Sequence, residues 1–188
     1  MRWLILHARS RQVPASAAAV ALVALAVWAL HGPGPVDQAM AVLLLTANVA
    51  AASVGLGGWD VVLERTAAIR WMPRRAAHVL LAGACAGAAL LTVQAAGVKL
   101  APAEVVVRDS AGLVGLAALG AALCGAQFAW TLPTGWLAFT LFGPPPGGTA
   151  GDVVMWMIYS PATTASTGTA WALFVIGTVV YAIAGPRR

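Results

Sequence analysis

Six stretches of the chain, about 13–31, 36–56, 77–97, 104–124, 126–143 and 166–184, carry almost no charge, and each approaches the length that crosses a bilayer. Spanning about 30 Å of hydrocarbon takes roughly 20 mostly apolar residues, and lipid gives an unpaired backbone no hydrogen-bond partner. The pattern therefore predicts an all-α fold, a polytopic membrane helix bundle with six transmembrane helices. Composition agrees: 61% of the 188 residues are hydrophobic and 9% are charged, against roughly 25% charged in a soluble domain. Residues 1–188 read as a single transmembrane domain with no room for a separate soluble one.

The breaks between spans are as informative as the spans. Residues 1–12 mix Trp3, Leu4, Ile5 and Leu6 with Arg2, Arg9 and Arg11, which suits a helix lying in the cytoplasmic interface. No small-residue cleavage site follows the first apolar stretch, so it is expected to stay as a span. Gly32-Pro33-Gly34-Pro35 makes a stiff turn into the second span. Gly125 alone separates the fourth from the fifth, and Pro144 to Asp152 forms a loop. The stretch 153–162 is too short to cross before Pro161, and reads as a re-entrant or interfacial helix with Trp156 and Tyr159 at headgroup level.

Charge sets the expected orientation. With both ends inside, the cytoplasmic side holds Arg2, Arg9, Arg11, Arg65, Arg70, Arg74, Arg75, Arg187 and Arg188, and the outer side holds Lys99 and Arg108. This nine-to-two bias over the chain's eleven basic residues predicts a multi-pass protein of the plasma membrane with both termini cytoplasmic. The same bias accounts for the net charge of +5 without nucleic acid as a partner. Membrane lipid is the expected surrounding.

Small residues at four-residue spacing let helices approach closely where lipid supplies no hydrophobic drive. Ala47, Ala51 and Gly55 form such a stripe in the second span, Gly83 and Gly87 in the third, and Ala117, Ala121 and Gly125 in the fourth. Cys85 and Cys124 lie in apolar stretches and read as packing residues.

Chemistry at depth needs ionisable groups, and the spans offer few. Asp37, Glu104, Arg108, Asp109 and Asp152 fall near the expected outer ends, and Asp60 and Glu64 in the cytoplasmic segment. This argues against a membrane enzyme and against an ion-coupled transporter. His7, His31 and His78 are scattered, with no second metal ligand at i, i+4, and no serine sits in a Gly-x-Ser-x-Gly turn. No catalytic, metal or cofactor-binding residue is therefore expected. Asn48, Gln94 and Gln127 are the amides expected at depth, either bonding between helices or contacting a substrate. Arg108 and Asp109 either anchor a helix mouth or line an outer vestibule, which adds them to the candidate pathway.

The most informative segment is 57–76. Gly57-Gly58 ends the second span, Asp60 can cap a new helix, and Pro73 is expected to end it before Arg74-Arg75 mark the return to the membrane. Such a short amphipathic helix either lies on lipid or docks a soluble partner.

The order of parts resembles a type-2 ABC transporter permease, in which a coupling helix joins spans two and three. Glu64-Arg65-Thr66 followed by Trp71-Met72-Pro73-Arg74-Arg75 is similar to the coupling loop of that family. The chain also looks like small, Ala-rich actinobacterial integral membrane proteins counted among the ABC permeases. That likeness rests on Leu63-Glu64-Arg65, Arg108 with Gly112 and Gly115, Ala129-Trp130-Thr131-Leu132-Pro133, and Gly185-Pro186-Arg187-Arg188. Asp109 departs from it, standing where a polar amide is expected. The resemblance implies a permease, an exporter, working as a homodimer or with a paired permease. It also implies a separate cytoplasmic ABC ATPase that binds ATP and magnesium, since no Gly-x-x-x-x-Gly-Lys-Ser/Thr loop occurs here. Docking would involve Trp59, Asp60, Leu63, Glu64, Arg65, Ile69, Arg70, Trp71, Pro73, Arg74 and Arg75. The alternative is a membrane anchor or regulator that recruits a cytoplasmic partner through the same 57–76 loop.

Overall fold

The computed structural model describes residue 22 and residues 38–56, 71–97, 101–159 and 163–187. Within them the chain forms α1 (Gln38–Ser53, continued by a 3-10 turn Val54–Leu56), α2 (Trp71–Ala95), α3 (Ala103–Leu123), α4 (Thr131–Phe142), α5 (Gly148–Val154) and α6 (Thr164–Ala184). Four of these helices are long and apolar enough to cross a membrane: α1 with its 3-10 extension, α2, α3 and α6. The described residues are helical with no strand, as an all-α bundle requires. Of the expected first span only Leu22 is described, helical and exposed. The N-terminal interfacial segment 1–12 and residues 57–70 of the coupling segment lie outside the described residues.

α3 is the centre of the bundle. It packs against α1, α2, α4 and most extensively α6, and 89% of its most apolar stretch is buried inside the protein, against 22% for α6. Its core side chains, Leu113, Val114, Ala117, Ala118 and Ala121, are shielded on every side, while Leu45, Val49, Val79 and Leu90 of α1 and α2 close around them.

Close approaches reveal the helix directions. A Cβ on Gly83 would meet Val114 at 2.9 Å, and one on Gly87 would meet Ser110 at 3.1 Å, so α2 runs antiparallel to α3. Arg108 lies against Ser166, Gly115 against Leu173, and Ala121 accepts a hydrogen bond from the Arg187 amide at 3.1 Å, so α6 runs parallel to α3. Tyr181 Oη donates to the Leu56 carbonyl at 2.6 Å, which brings the end of α1 beside the end of α6. Leu56, Trp71, Leu123 and the tail Gly185–Arg187 therefore share one end of the bundle.

A parallel α3 and α6 oblige residues 124–163 to carry the chain back along the bundle. They do so in pieces rather than as the single span expected over 126–143. A 3-10 turn (Ala126–Phe128) precedes α4, whose 12 residues extend only about 18 Å. Thr131 Oγ1 donates to Phe128 at 2.7 Å and Trp130 Nε1 to Gln127 at 3.0 Å, stabilising the turn before α4, and Gly143 with Pro144-Pro145-Pro146 ends the helix.

The segment after the proline loop also differs from expectation. Its helix is α5, residues 148–154, rather than 153–162, and the turn that follows re-enters the bundle. Trp136 Nε1 donates to the Val154 carbonyl at 2.9 Å, and Met155, Trp156 and Met157 are fully buried. Trp156, expected at headgroup level, is enclosed by protein, its benzo ring resting where a Cβ on Gly112 would be. Gly112 is about 14 Å along α3 from Ala103, so the indole reaches far into the bundle.

Among the small-residue stripes, Gly55, Gly83, Gly87, Ala117, Ala121 and Gly125 are buried, and Ala47 and Ala51 only partly so. One close helix contact lies outside them. Gly115 and Gly177 bring the backbones of α3 and α6 together, since a Cβ on either would strike main-chain atoms of the other helix. Both cysteines are exposed free thiols on the bundle's outer surface, so neither packs in the core.

Candidate functional site

Pro102 starts α3 by accepting the amides of Val105 and Val106 at 2.9 and 3.2 Å, and Glu104 in the first turn stays exposed. One turn later the helix turns polar side chains into the protein. Arg108 and Asp109 are 3% and 1% exposed, so within this chain they form an interior pair, where their sequence position suggested a helix-mouth anchor or a vestibule lining. Neighbours in sequence point about 100° apart on a helix and do not normally face one another. Here the long arginine side chain reaches round, and its Nε donates to Asp109 Oδ1 at 2.8 Å.

The rest of the guanidinium binds the segment that closes over α3. Nη1 donates to the Tyr159 carbonyl at 3.0 Å and to Ser166 Oγ at 3.4 Å. Ser166 is wholly buried in the first turn of α6, and its hydroxyl donates in turn to Thr163 at 3.2 Å. Arg108 thus joins α3, the turn after α5 and the start of α6 at the end of the bundle opposite Leu56 and Trp71. Arg108 Nη2 and Asp109 Oδ2 are buried without a protein partner, as is Trp156 Nε1. One turn along the same face Gly112 receives Trp156, and Gly115 receives α6. Ser166 is not an activated nucleophile, because its proton is spent on a carbonyl and its oxygen accepts from a cation rather than a base.

The other candidate pathway residues do not converge on this pair. Asn48 is buried in α1 and turns its amide back to the Leu44 carbonyl at 3.1 Å, leaving Oδ1 unpartnered. Gln94 spans the turn after α2 by donating to Ala101 at 2.6 Å. Gln127 is exposed in the 3-10 turn at the other end of the bundle.

Comparison with protein-family models, curated proteins and solved structures finds no match.

At the opposite end, Trp71, Pro73, Arg74 and Arg75 form the first turns of α2, while Trp59, Asp60, Leu63, Glu64, Arg65, Ile69 and Arg70 lie outside the described residues. Pro73, expected to end the helix before it, lies inside α2. It sits in the first turn of Trp71–Ala95, where an amide would have no intrahelical acceptor and its loss is harmless. Arg74 is exposed, its guanidinium 5.8 Å from the Trp71 ring centroid. Arg75 packs over Gly185, whose φ of +71° and lack of space both require glycine. Arg187 caps α3: its amide donates to Ala121, its carbonyl accepts from Ala126 at 3.4 Å, and its Nη1 reaches Leu123 at 3.3 Å.

The burial of the Arg108–Asp109 pair and the contact of Trp156 with Gly112 are the features of this site that sequence reasoning did not anticipate. A signal was present in the spacing of Arg108, Gly112 and Gly115, which lie at i, i+4 and i+7 on one helix face. Small residues in that register call for something packed closely against them.

Proposed function

We propose that the chain is the transmembrane subunit of an ABC transporter, an exporter, driven by a separate cytoplasmic ATPase that grips the 57–76 segment. The observation that carries this reading is the common location of Leu56, Trp71, Arg75, Gly185 and Arg187 at one end of the bundle. A segment anchored at Leu56 and Trp71 emerges there, beside the exposed Arg74 and the tail that caps α3. A push on that segment would be felt directly by α1, α2, α3 and α6.

In this reading residues 1–12 and 185–188 face the cytoplasm of a plasma-membrane protein. Six crossings follow if 13–31 supplies the first and the broken path 125–163 the fifth, a course that the parallel α3 and α6 support. Two such chains, or one with a paired permease, would make a twelve-span transporter.

The test is co-purification with the candidate ATPase, comparing the native chain with Glu64→Ala plus Arg65→Ala. Loss of association and of ATPase stimulation is expected. Unchanged association and stimulation would remove the docking role, while binding of a partner without ATPase activity would favour the anchor or regulator.

A further inference from the structure

The Arg108–Asp109 pair is joined at only one of the two points that its chemistry allows. A guanidinium and a carboxylate side by side normally make two parallel hydrogen bonds. Here Nε meets Oδ1 at 2.8 Å, whereas Nη2 and Oδ2, the atoms that would form the second bond, have no partner. Both belong to groups already bonded to each other, so they lie within a few ångströms. Both side chains are more than nine-tenths buried, where a charged group left half-satisfied is strongly disfavoured. The remaining contacts of Arg108, to Tyr159 and Ser166, use Nη1 and hold the guanidinium in place, so it cannot rotate to close the second bond without giving them up.

We infer that Arg108 Nη2 and Asp109 Oδ2 form a binding site for one neutral hydroxyl-sized group, which accepts a hydrogen bond from the guanidinium and donates one to the carboxylate. An anion, which only accepts, would leave Oδ2 unpaired, and a cation, which only donates, would leave Nη2 unpaired. An aliphatic group would leave both atoms unsatisfied. Water and an alcohol hydroxyl share the required pairing of one donor with one acceptor. Trp156 and Gly112 roof the adjacent turn of α3, which limits the occupant to a small group or to the tip of a larger one. This inference is independent of the transporter reading, because it rests on the pair alone.

The test uses the full chain, labelled at arginine, aspartate, glutamate and alanine carbons, in nanodiscs of either phosphatidylcholine, whose headgroup has no hydroxyl, or phosphatidylglycerol, whose headgroup has two. Magnetisation transfer from mobile water and lipid protons to Asp109 Cγ is measured by solid-state NMR after a relaxation filter has removed the rigid guanidinium protons of Arg108, the signal being assigned through its contact with Arg108. Transfer as fast as to the exposed Glu104 in both lipids identifies water as the occupant. Transfer seen only in phosphatidylglycerol identifies a lipid hydroxyl. Transfer as slow as to the buried Ala117 in both would overturn the inference, since the pair would then have closed on itself.

Discussion

Gly115 is where the central helix touches α6, and Gly115→Ala measures how much of the fold depends on that contact. The added Cβ would stand 2.6 Å from both the Leu173 carbonyl carbon and the Phe174 Cα. Carbon atoms rest at about 3.5–4.0 Å, so the helices would have to part by about 1 Å, and a gap of that size forfeits a quarter to a half of each dispersion contact along the seam. Overpacking of this kind costs about 1–3 kcal/mol. The upper end applies, because the obstacle is main chain that cannot change rotamer. Replacing a helical glycine by alanine returns about 1 kcal/mol of helix propensity, leaving a net loss of about 2 kcal/mol. Gly135→Ala in α4 is the control: nothing lies within 4 Å of its Cβ, so only the gain of about 1 kcal/mol remains. The two variants should differ by about 3 kcal/mol, more than a hundredfold in the unfolding equilibrium. Steric trapping or detergent unfolding, followed by tryptophan fluorescence, measures that difference. Equal stability of the two variants would refute the close α3–α6 contact.

Arg108→Leu should destabilise by about 3–5 kcal/mol by stranding the Asp109 charge, while Arg108→Leu with Asp109→Leu should return close to native stability in the same assay. A double variant as damaged as the single would show that the contacts to Tyr159 and Ser166 carry the energy instead. Cys124 follows the last residue of α3 at the basic end of the bundle, and Cys85 lies about 21 Å along α2 from Trp71, both exposed. A water-soluble maleimide should therefore modify Cys124 and spare Cys85, and in sealed cells it should reach Cys124 only once the membrane is permeabilised. Labelling of intact cells at Cys124 would invert the orientation that the arginines imply.

The helices themselves were legible in the sequence, for a local reason. In lipid a backbone must satisfy its hydrogen bonds within its own segment, so length, apolarity and the next Gly or Pro delimit a span with no knowledge of its neighbours. The second, third, fourth and sixth stretches emerge as α1, α2, α3 and α6 within a few residues, the largest shift being α2, which begins at Trp71 and not near 77. The fifth did not emerge as one helix, because hydropathy counts apolar residues and does not register the turns at Gln127–Trp130 that interrupt them. Burial was not legible. A helix facing lipid and a helix facing protein are equally apolar, so composition cannot tell α6, largely exposed, from α3, almost entirely enclosed.

From its residue order alone this chain is a set of apolar helices with a basic end, since the cost of an unpaired peptide group in hydrocarbon is paid residue by residue. Tertiary structure decided that α3 is central, that α6 runs beside it in the same direction, and that an arginine and an aspartate near one end of α3 turn inward beneath Trp156. Those outcomes depend on which glycines from distant parts of the chain come face to face, a matter of shape rather than of hydropathy.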